Sequence, residues 1–391
     1  MNLVETIEKK FKDKYKRNPL LVRSPGRVNL IGEHTDYNKG FVLPGAIDKA
    51  IYFAVSPRND NKCNLLAVDL NDFYEFNVDS IQYSKKGWPN YLMGIVDQLC
   101  KDGFKITGFD CAFGGDIPIG AGLSSSAAIG AGLAFALNHL FTFNLEKLDL
   151  VKLAQKSENE FVGVKCGIMD QYINIFGKNK NVLRIDCRSL EYEYFPFEFN
   201  NVSVVLFNSK VSHSLASSEY NRRRAECAQG VEVIKNYYPQ VDSLRDVPKE
   251  MLVELMPKLD VVTYKRCKYV VDENDRVLKA CQTLKKGDLK EFGSLMYDSH
   301  NGLSKEYEVS CKELDYLVQL TESNSKVYGS RMMGGGFGGC TINIIENDAV
   351  EQISKSICNS YEEKFHVKPE TYITSIGNGT NIIKSDENET V

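Results

Sequence analysis

The sequence predicts two domains, each mixing helices with strands. Three observations carry that reading. The chain has 391 residues, more than a single hydrophobic core usually serves. Strand-like stretches alternate with stretches of helical spacing along its length. Between Ser217 and Glu291 the composition shifts to Arg, Lys and Glu with few β-branched clusters. The boundary falls near Glu198, between two strand-like runs, and divides residues 1–198 from residues 199–391.

Asn2 to Tyr15 has the charge and spacing of a surface helix. The basic run Lys9 to Arg17, broken by Asp13 and preceded by Glu5 and Glu8, is its solvated face. Leu20 to Arg23 is extended and runs into Ser24-Pro25-Gly26, a turn by composition. A β-prone run from Ala50 to Val55 and shorter strand-like pieces from Cys63 to Val78 follow. Trp88 to Leu99 reads as helix and Ile106 to Ala112 as strand. Two helices come next, one after Ser126 and one from about Leu145 to Val162. Strands at Val182 to Ile185 and Val202 to Leu206 lie either side of the boundary. The second half closes with a helix near Cys311 to Glu322, a glycine run, a strand from Cys340 to Ile345, a helix and a terminal strand near Thr371 to Ile376. The tail Ser385 to Val391 is expected to fray.

Composition narrows the function. Apolar residues make up 43% and charged residues 26%, ordinary for a globular protein. A net charge of −4 gives no electrostatic case for nucleic acid or an anionic membrane. The eleven cysteines form no C-x-x-C pair and sit near no histidine cluster, so neither a disulfide framework nor structural zinc is expected. With no signal peptide or long apolar run, the expectation is a reduced, cytoplasmic compartment.

One stretch organises the first half: Gly115-Asp116-Ile117-Pro118-Ile119-Gly120-Ala121-Gly122-Leu123-Ser124-Ser125-Ser126-Ala127-Ala128. Its glycines permit a tight turn and close approach by a ligand. Ile129, Leu133, Leu137 and Leu140 then recur at helical spacing. A serine loop opening a helix presents free N–H groups and the positive end of the dipole, which suits phosphate. A plain capped helix would look the same. The second glycine run, Gly334 to Gly339, contains G-x-G-x-x-G. That fingerprint requires a following helix, and Thr341 to Ile345 is strand-like, so a dinucleotide fold is excluded. No G-x-x-x-x-G-K-[ST] occurs, which excludes a P-loop.

Single residues stand out more weakly. At about 100° per residue, Glu158 falls in the middle of the apolar arc of Leu148, Val151, Ala154, Phe161 and Val162, with Leu153 outside it. A carboxylate aimed at the core needs an ion pair or a metal; beside a serine hydroxyl and phosphates it would suit Mg2+. Asp170, after the Gly167 turn, could take a proton from a hydroxyl or could cap a helix. Arg27, after Ser24-Pro25-Gly26, could stabilise a transferring phosphoryl group or sit on the surface. Glu33, His34 and Asp36 place three hydrogen-bonding side chains within four residues, which suits a polyhydroxylated ligand or a solvated loop.

Together these stretches resemble the GHMP family of small-molecule kinases, and within it the galactokinase family. Pro25-Gly26-Arg27-Val28-Asn29-Leu30-Ile31-Gly32-Glu33-His34-Thr35-Asp36-Tyr37-Asn38 is similar to the galactokinase signature almost residue for residue. Gly120 to Ala127 resembles the nucleotide phosphate loop, and Met333 to Cys340 the third motif. Cys166-Gly167-Ile168-Met169-Asp170-Gln171 and His213 to Tyr220 are also similar. Lys165 departs from the pattern, since proline is frequent there, and Ala128 stands where serine is common.

The resemblance implies an α+β protein of two domains: an N-terminal domain like domain 2 of ribosomal protein S5 and a ferredoxin-like C-terminal domain, with the active site between them. It implies phosphorylation of the C1 hydroxyl of α-D-galactose by MgATP, the first step of galactose catabolism, by direct transfer. Asp170 would accept or orient the hydroxyl proton and Arg27 would stabilise the reacting groups. Glu33, His34, Asp36, Tyr220 and Gly167 would bind the sugar. Gly120, Ala121, Gly122, Leu123, Ser124, Ser125 and Ser126 would hold the ATP phosphates, with Trp88 and Tyr91 near the adenine. Ser126 and Glu158 would coordinate Mg2+. The partners are then small molecules, galactose and ATP, acting on a monomer without nucleic acid or membrane. An N-acetylgalactosamine or other sugar 1-kinase, or a galactose- and ATP-binding sensor without turnover, is the alternative.

Overall fold

The computed structural model describes residues 2–118, 120–212 and 216–384. The expected fraying of Ser385 to Val391 lies outside the described residues, as do Ile119 of the serine loop and His213 to Leu215.

The first half runs α1 (Leu3–Tyr15), β1 (Leu20–Asn29), β2 (Phe41–Val42), β3 (Pro44–Pro57), β4 (Lys62–Ala67), β5 (Asp72–Asn77), α2 (Pro89–Lys101) and β6 (Phe109–Gly115). It continues through α3 (Ser125–Leu140), α4 (Lys147–Ser157), α5 (Met169–Phe176), β7 (Asn181–Asp186) and β8 (Tyr192–Pro196). The second half comprises β9 (Val202–Ser212), α6 (Ala216–Lys235), α7 (Lys249–Glu254), α8 (Val261–Lys286), α9 (Leu289–Lys305) and α10 (Lys312–Glu322). Then come β10 (Val327–Met332), β11 (Gly338–Glu346), α11 (Val350–Phe365), β12 (Glu370–Thr374) and β13 (Asn381–Ile382). None of the helices is long and apolar enough, among the described residues, to cross a membrane.

Three sheets organise these elements: β13-β1-β3-β6-β4-β5, β10-β11-β9-β12 and β2-β7-β8. Alternation along β3 assigns its two faces, since successive side chains on a strand point opposite ways. Phe53 and Val55 join the main core, while Ala54 packs with Ile7 and Phe11 of α1. Helices α3 and α5 lie on the other face, with α2 and α4 packed against α3. The second sheet buries Val205 and Phe207 against Leu317, Ile353 and Ile357 of α10 and α11. Its opposite face, with Leu206, Ile342 and Ile344, belongs to the main core. Val277 and Ala280 of α8 and Phe292 of α9 join that same core, so both halves of the chain bury apolar surface in common.

Four local expectations are corrected. Ser24-Pro25-Gly26 is not a turn: β1 runs through it, with a register shift between Pro25 and Arg27 on β3. The shift accommodates the proline, which has no N–H to give to the ladder. It also lets Gly26 pass the serine loop, where a Cβ would stand 2.9 Å from the Leu123 carbonyl. The strand expected from Ile106 begins at Phe109, because Gly108 is pressed against the Lys62 backbone and bonds to Asp60 instead. The single helix from Leu145 to Val162 is α4 followed by a π-helical turn, Glu158–Val162. Leu153, placed outside the apolar arc, is buried, because α4 is covered on two sides by α2 and α3.

Candidate active site

The serine loop leaves β6 and crosses the end of β1. Gly120 and Gly122 hold φ of +76° and +73°, and nothing lies within 4 Å of where a Cβ would stand on either. The backbone there is bare. Arg27 fixes the far end of the loop from below: its backbone N–H donates to Leu123 O at 3.1 Å and its Nη1 to Gly122 O at 2.5 Å. Helix α3 starts at Ser125, so Ser125 and Ser126 occupy its electropositive first turn.

Arg27 and Asp170 meet in a two-pronged pair. Nε of Arg27 donates to Asp170 Oδ1 at 2.8 Å and Nη2 to Oδ2 at 2.7 Å, the fork geometry peculiar to arginine. Burial works against the charge on Arg27, but Asp170 outweighs it and raises the arginine's pKa. Ser124 Oγ donates to Asp170 Oδ2 as well. Asp170 lies in the first turn of α5, a helix that sequence reasoning did not place.

The acidic signature segment turns back from β1 into the same space. Glu33 is buried, and its Oε1 accepts from Arg331 Nη2 at 3.0 Å and from the backbone N–H of Gly334 at 2.8 Å. His34 takes a left-handed backbone, φ +62°. Its Nδ1 bonds the Tyr37 hydroxyl at 2.7 Å, Nε2 is buried, and the Gly335 backbone lies beside the ring. Burial lowers its pKa to about 3, so the ring is neutral. Burial raises Asp36 to about 6, with the charges of Asp170 and Glu33 adding. A Cβ on Gly167 would stand 1.6 Å from Asp36 Oδ2, so only glycine lets that loop lie on the carboxylate. The Tyr220 ring packs 5.4 Å from both His34, at a tilt, and Tyr37, edge-on.

Glu158 completes the cavity from the π-helical turn. Gln171 Nε2 donates to it at 2.8 Å, and Ser126 and Cys166 stand beside it. No Lys or Arg pairs with it among the described residues. Burial, with Asp170 adding, pushes its carboxyl up to about 7. A buried carboxylate beside a hydroxyl, short of positive charge, is a donor set that fits a hard divalent cation. Tyr91 lines a small recess shared with Ser126 and Glu158. Trp88 lines neither space; it donates to Asp72 at 3.0 Å and packs on Phe113 and Tyr74.

Arg27, Glu33, His34, Asp36, Ser126, Glu158, Gly167, Asp170 and Tyr220 thus line one cavity of about 580 Å3, closed on one side by Gly334 to Gly336. Sequence reasoning missed Arg331, Tyr37 and Tyr307 as supports of this cavity. Arg331 sits on β10, a strand not read from the sequence. An arginine followed by Met332 and Met333 just before a glycine run was the available signal.

A sheet-and-helix frame with a bare glycine-serine loop over an Arg–Asp pair defines a GHMP kinase, and matching family models agree. The GHMP kinases N terminal domain matches residues 90–178 and the GHMP kinases C terminal domain residues 278–363. The galactokinase galactose-binding signature matches residues 9–57. A galactokinase of Roseiflexus sp. is 42% identical over 358 residues, 91% of each chain. One from Fusobacterium nucleatum is 40% identical over 389 residues, 98% of this chain and all of its own. The crystal structure of Lactococcus lactis galactokinase complexed with galactose superposes with a TM-score of 0.94 at 33% identity, covering 98% of this chain and 100% of that one. The chain belongs to the galactokinase family, and as a kinase it uses ATP.

Proposed function

We propose that this protein transfers the γ-phosphoryl group of ATP to the C1 hydroxyl of α-D-galactose. The observation that carries the reading is the Arg27–Asp170 pair standing in one cavity with Glu33, His34 and Asp36, beneath the glycine-serine loop. Glu33, His34, Asp36, Tyr220 and the Gly167 backbone would bind sugar hydroxyls. Asp170 would orient the C1 hydroxyl or take its proton, and Arg27 would stabilise the charge shared between donor and acceptor. Gly120 to Ser126 would cradle the phosphates, with Tyr91 and Trp88 towards the base. Ser126 and Glu158 would hold Mg2+, which when bound offsets phosphate charge. With both substrates fixed, transfer is direct, and most of the rate comes from positioning and electrostatics. The proposal extends to a cytoplasmic monomer acting on small molecules, with residues 1–198 carrying the sugar signature and phosphate loop and residues 199–391 the third motif.

The test is ADP release from the purified protein with MgATP and a panel of galactose, N-acetylgalactosamine, glucose, arabinose and mevalonate. Turnover with galactose alone is expected. Turnover with another sugar moves the specificity; binding of galactose and ATP without turnover makes the protein a sensor.

A further inference from the structure

Ser124 is the residue at which the serine loop becomes helix α3. A serine in that place ordinarily turns its hydroxyl back onto the N–H groups of the first turn. Ser124 makes no such bond; its hydroxyl donates to Asp170 Oδ2. The backbone at Ser124 also lies in the left-handed region, φ +57° and ψ +48°, where a Cβ is unfavourable and glycine is the usual solution. Gly120 and Gly122 use that solution in the same loop. What a glycine at 124 would lack is the hydroxyl. Meanwhile the carbonyls of Gly122 and Leu123 are both taken by Arg27. Three consecutive loop residues therefore direct polar atoms to the Arg27–Asp170 pair.

The two carboxylate oxygens are left unequal. Among the described residues, Oδ2 receives Arg27 Nη2 and Ser124 Oγ, whereas Oδ1 receives Arg27 Nε alone. We infer that Ser124 is a positioning residue of the reaction: its hydroxyl pins Oδ2 and so leaves Oδ1 as the oxygen with room for the sugar hydroxyl. Its position in the phosphate loop suggests a nucleotide ligand; its hydrogen bond makes it a support of Asp170. The inference rests on the kinase reading above.

Steady-state kinetics of Ser124→Gly and Ser124→Ala with galactose and ATP test it. Alanine removes only the hydroxyl, and glycine removes the CH2OH while accepting the left-handed backbone, so the glycine variant keeps the test open even if the alanine variant misfolds. The expected result is a fall in kcat of about tenfold, the scale of one hydrogen bond to a charged group, with both KM values within about twofold of wild type. A raised KM for ATP with kcat intact overturns the inference and returns the hydroxyl to the nucleotide. Unaltered kinetics in Ser124→Gly overturn it as well. A wild-type protein inert towards galactose would instead sink the functional reading.

Discussion

Arg331, from the second half of the chain, is fully buried and bonds Glu33 of the signature segment at 3.0 Å. The same guanidinium donates to the carbonyls of Leu30 and Met332 at 2.7 and 2.6 Å, and to that of Asn29. Each of the three guanidinium nitrogens has an acceptor, so the charge is stabilised where it stands. Arg331→Met would strand the buried Glu33 carboxylate together with three carbonyls. We expect a loss of about 3–5 kcal/mol in stability by urea unfolding, and no rescue by Arg331→Lys, which cannot reproduce the fork. A variant as stable as wild type would show that this link is not structural.

Asp170→Asn keeps the size of the side chain and removes its charge. Turnover should fall by about 10²-fold or more, while galactose binding by calorimetry stays close to wild type, because the lost interaction belongs mainly to the transition state. Arg27→Lys should also lose turnover, since a single ammonium cannot engage both Asp170 oxygens. Near-full kcat in either variant would remove that residue from the mechanism.

Tyr37 orients His34. Its hydroxyl lies 2.7 Å from His34 Nδ1 and 2.8 Å from the Tyr307 hydroxyl. Tyr37→Phe should raise KM for galactose about tenfold, the weight of one such hydrogen bond, and leave KM for ATP unmoved. Equal changes in both would point to a general loosening.

The pH dependence follows from two raised carboxyls, Asp36 at about 6 and Glu158 at about 7. Their protons are held more tightly in the folded protein than in the unfolded chain. The stability they confer is therefore present at low pH and lost as pH rises through about 6 and 7. His34, held down at about 3, works the other way below its ordinary 6.5, so the expected readout without ligands is a difference: Glu158→Gln should gain melting temperature relative to wild type as pH rises from about 5 to about 8. The Mg2+ concentration for half-maximal activity should rise below neutral pH, as protons compete for Glu158. A metal titration unchanged by Glu158→Gln would exclude the residue as a ligand.

Much of this site was legible because it is local in sequence. The signature from Pro25 to Asn38, the serine loop and Asp170 each carry their chemistry within a few residues. Glu158 was legible from periodicity, although the π-helical turn that aims it was not, since a count of 100° per residue assumes an unbroken α-helix. Composition misled at Ser24-Pro25-Gly26, where turn-forming residues serve a bulge inside a strand. Arg331, Tyr307 and the hydroxyl of Ser124 were illegible for another reason: each acts on a residue far away along the chain, and no spacing rule reports a contact that only the fold creates.

The short strand β13 pairs Ile382 with Val22 and Asn381 with Arg23. Thr380 beside it bonds Ser24 and Asn174, contacts separated by 356 and 206 residues. The first sheet is thus sealed by residues synthesised long after its first strand, 356 positions further on in the case of Ser24 and Thr380. During synthesis the Leu20–Arg23 edge waits bare, and a bare edge is where chains pair wrongly. Emergence of residues 380–382, rather than emergence of the first half, sets the moment at which that hazard ends. A chain stopped at Gly377 should accordingly be cut faster by protease than one that continues through Ile382.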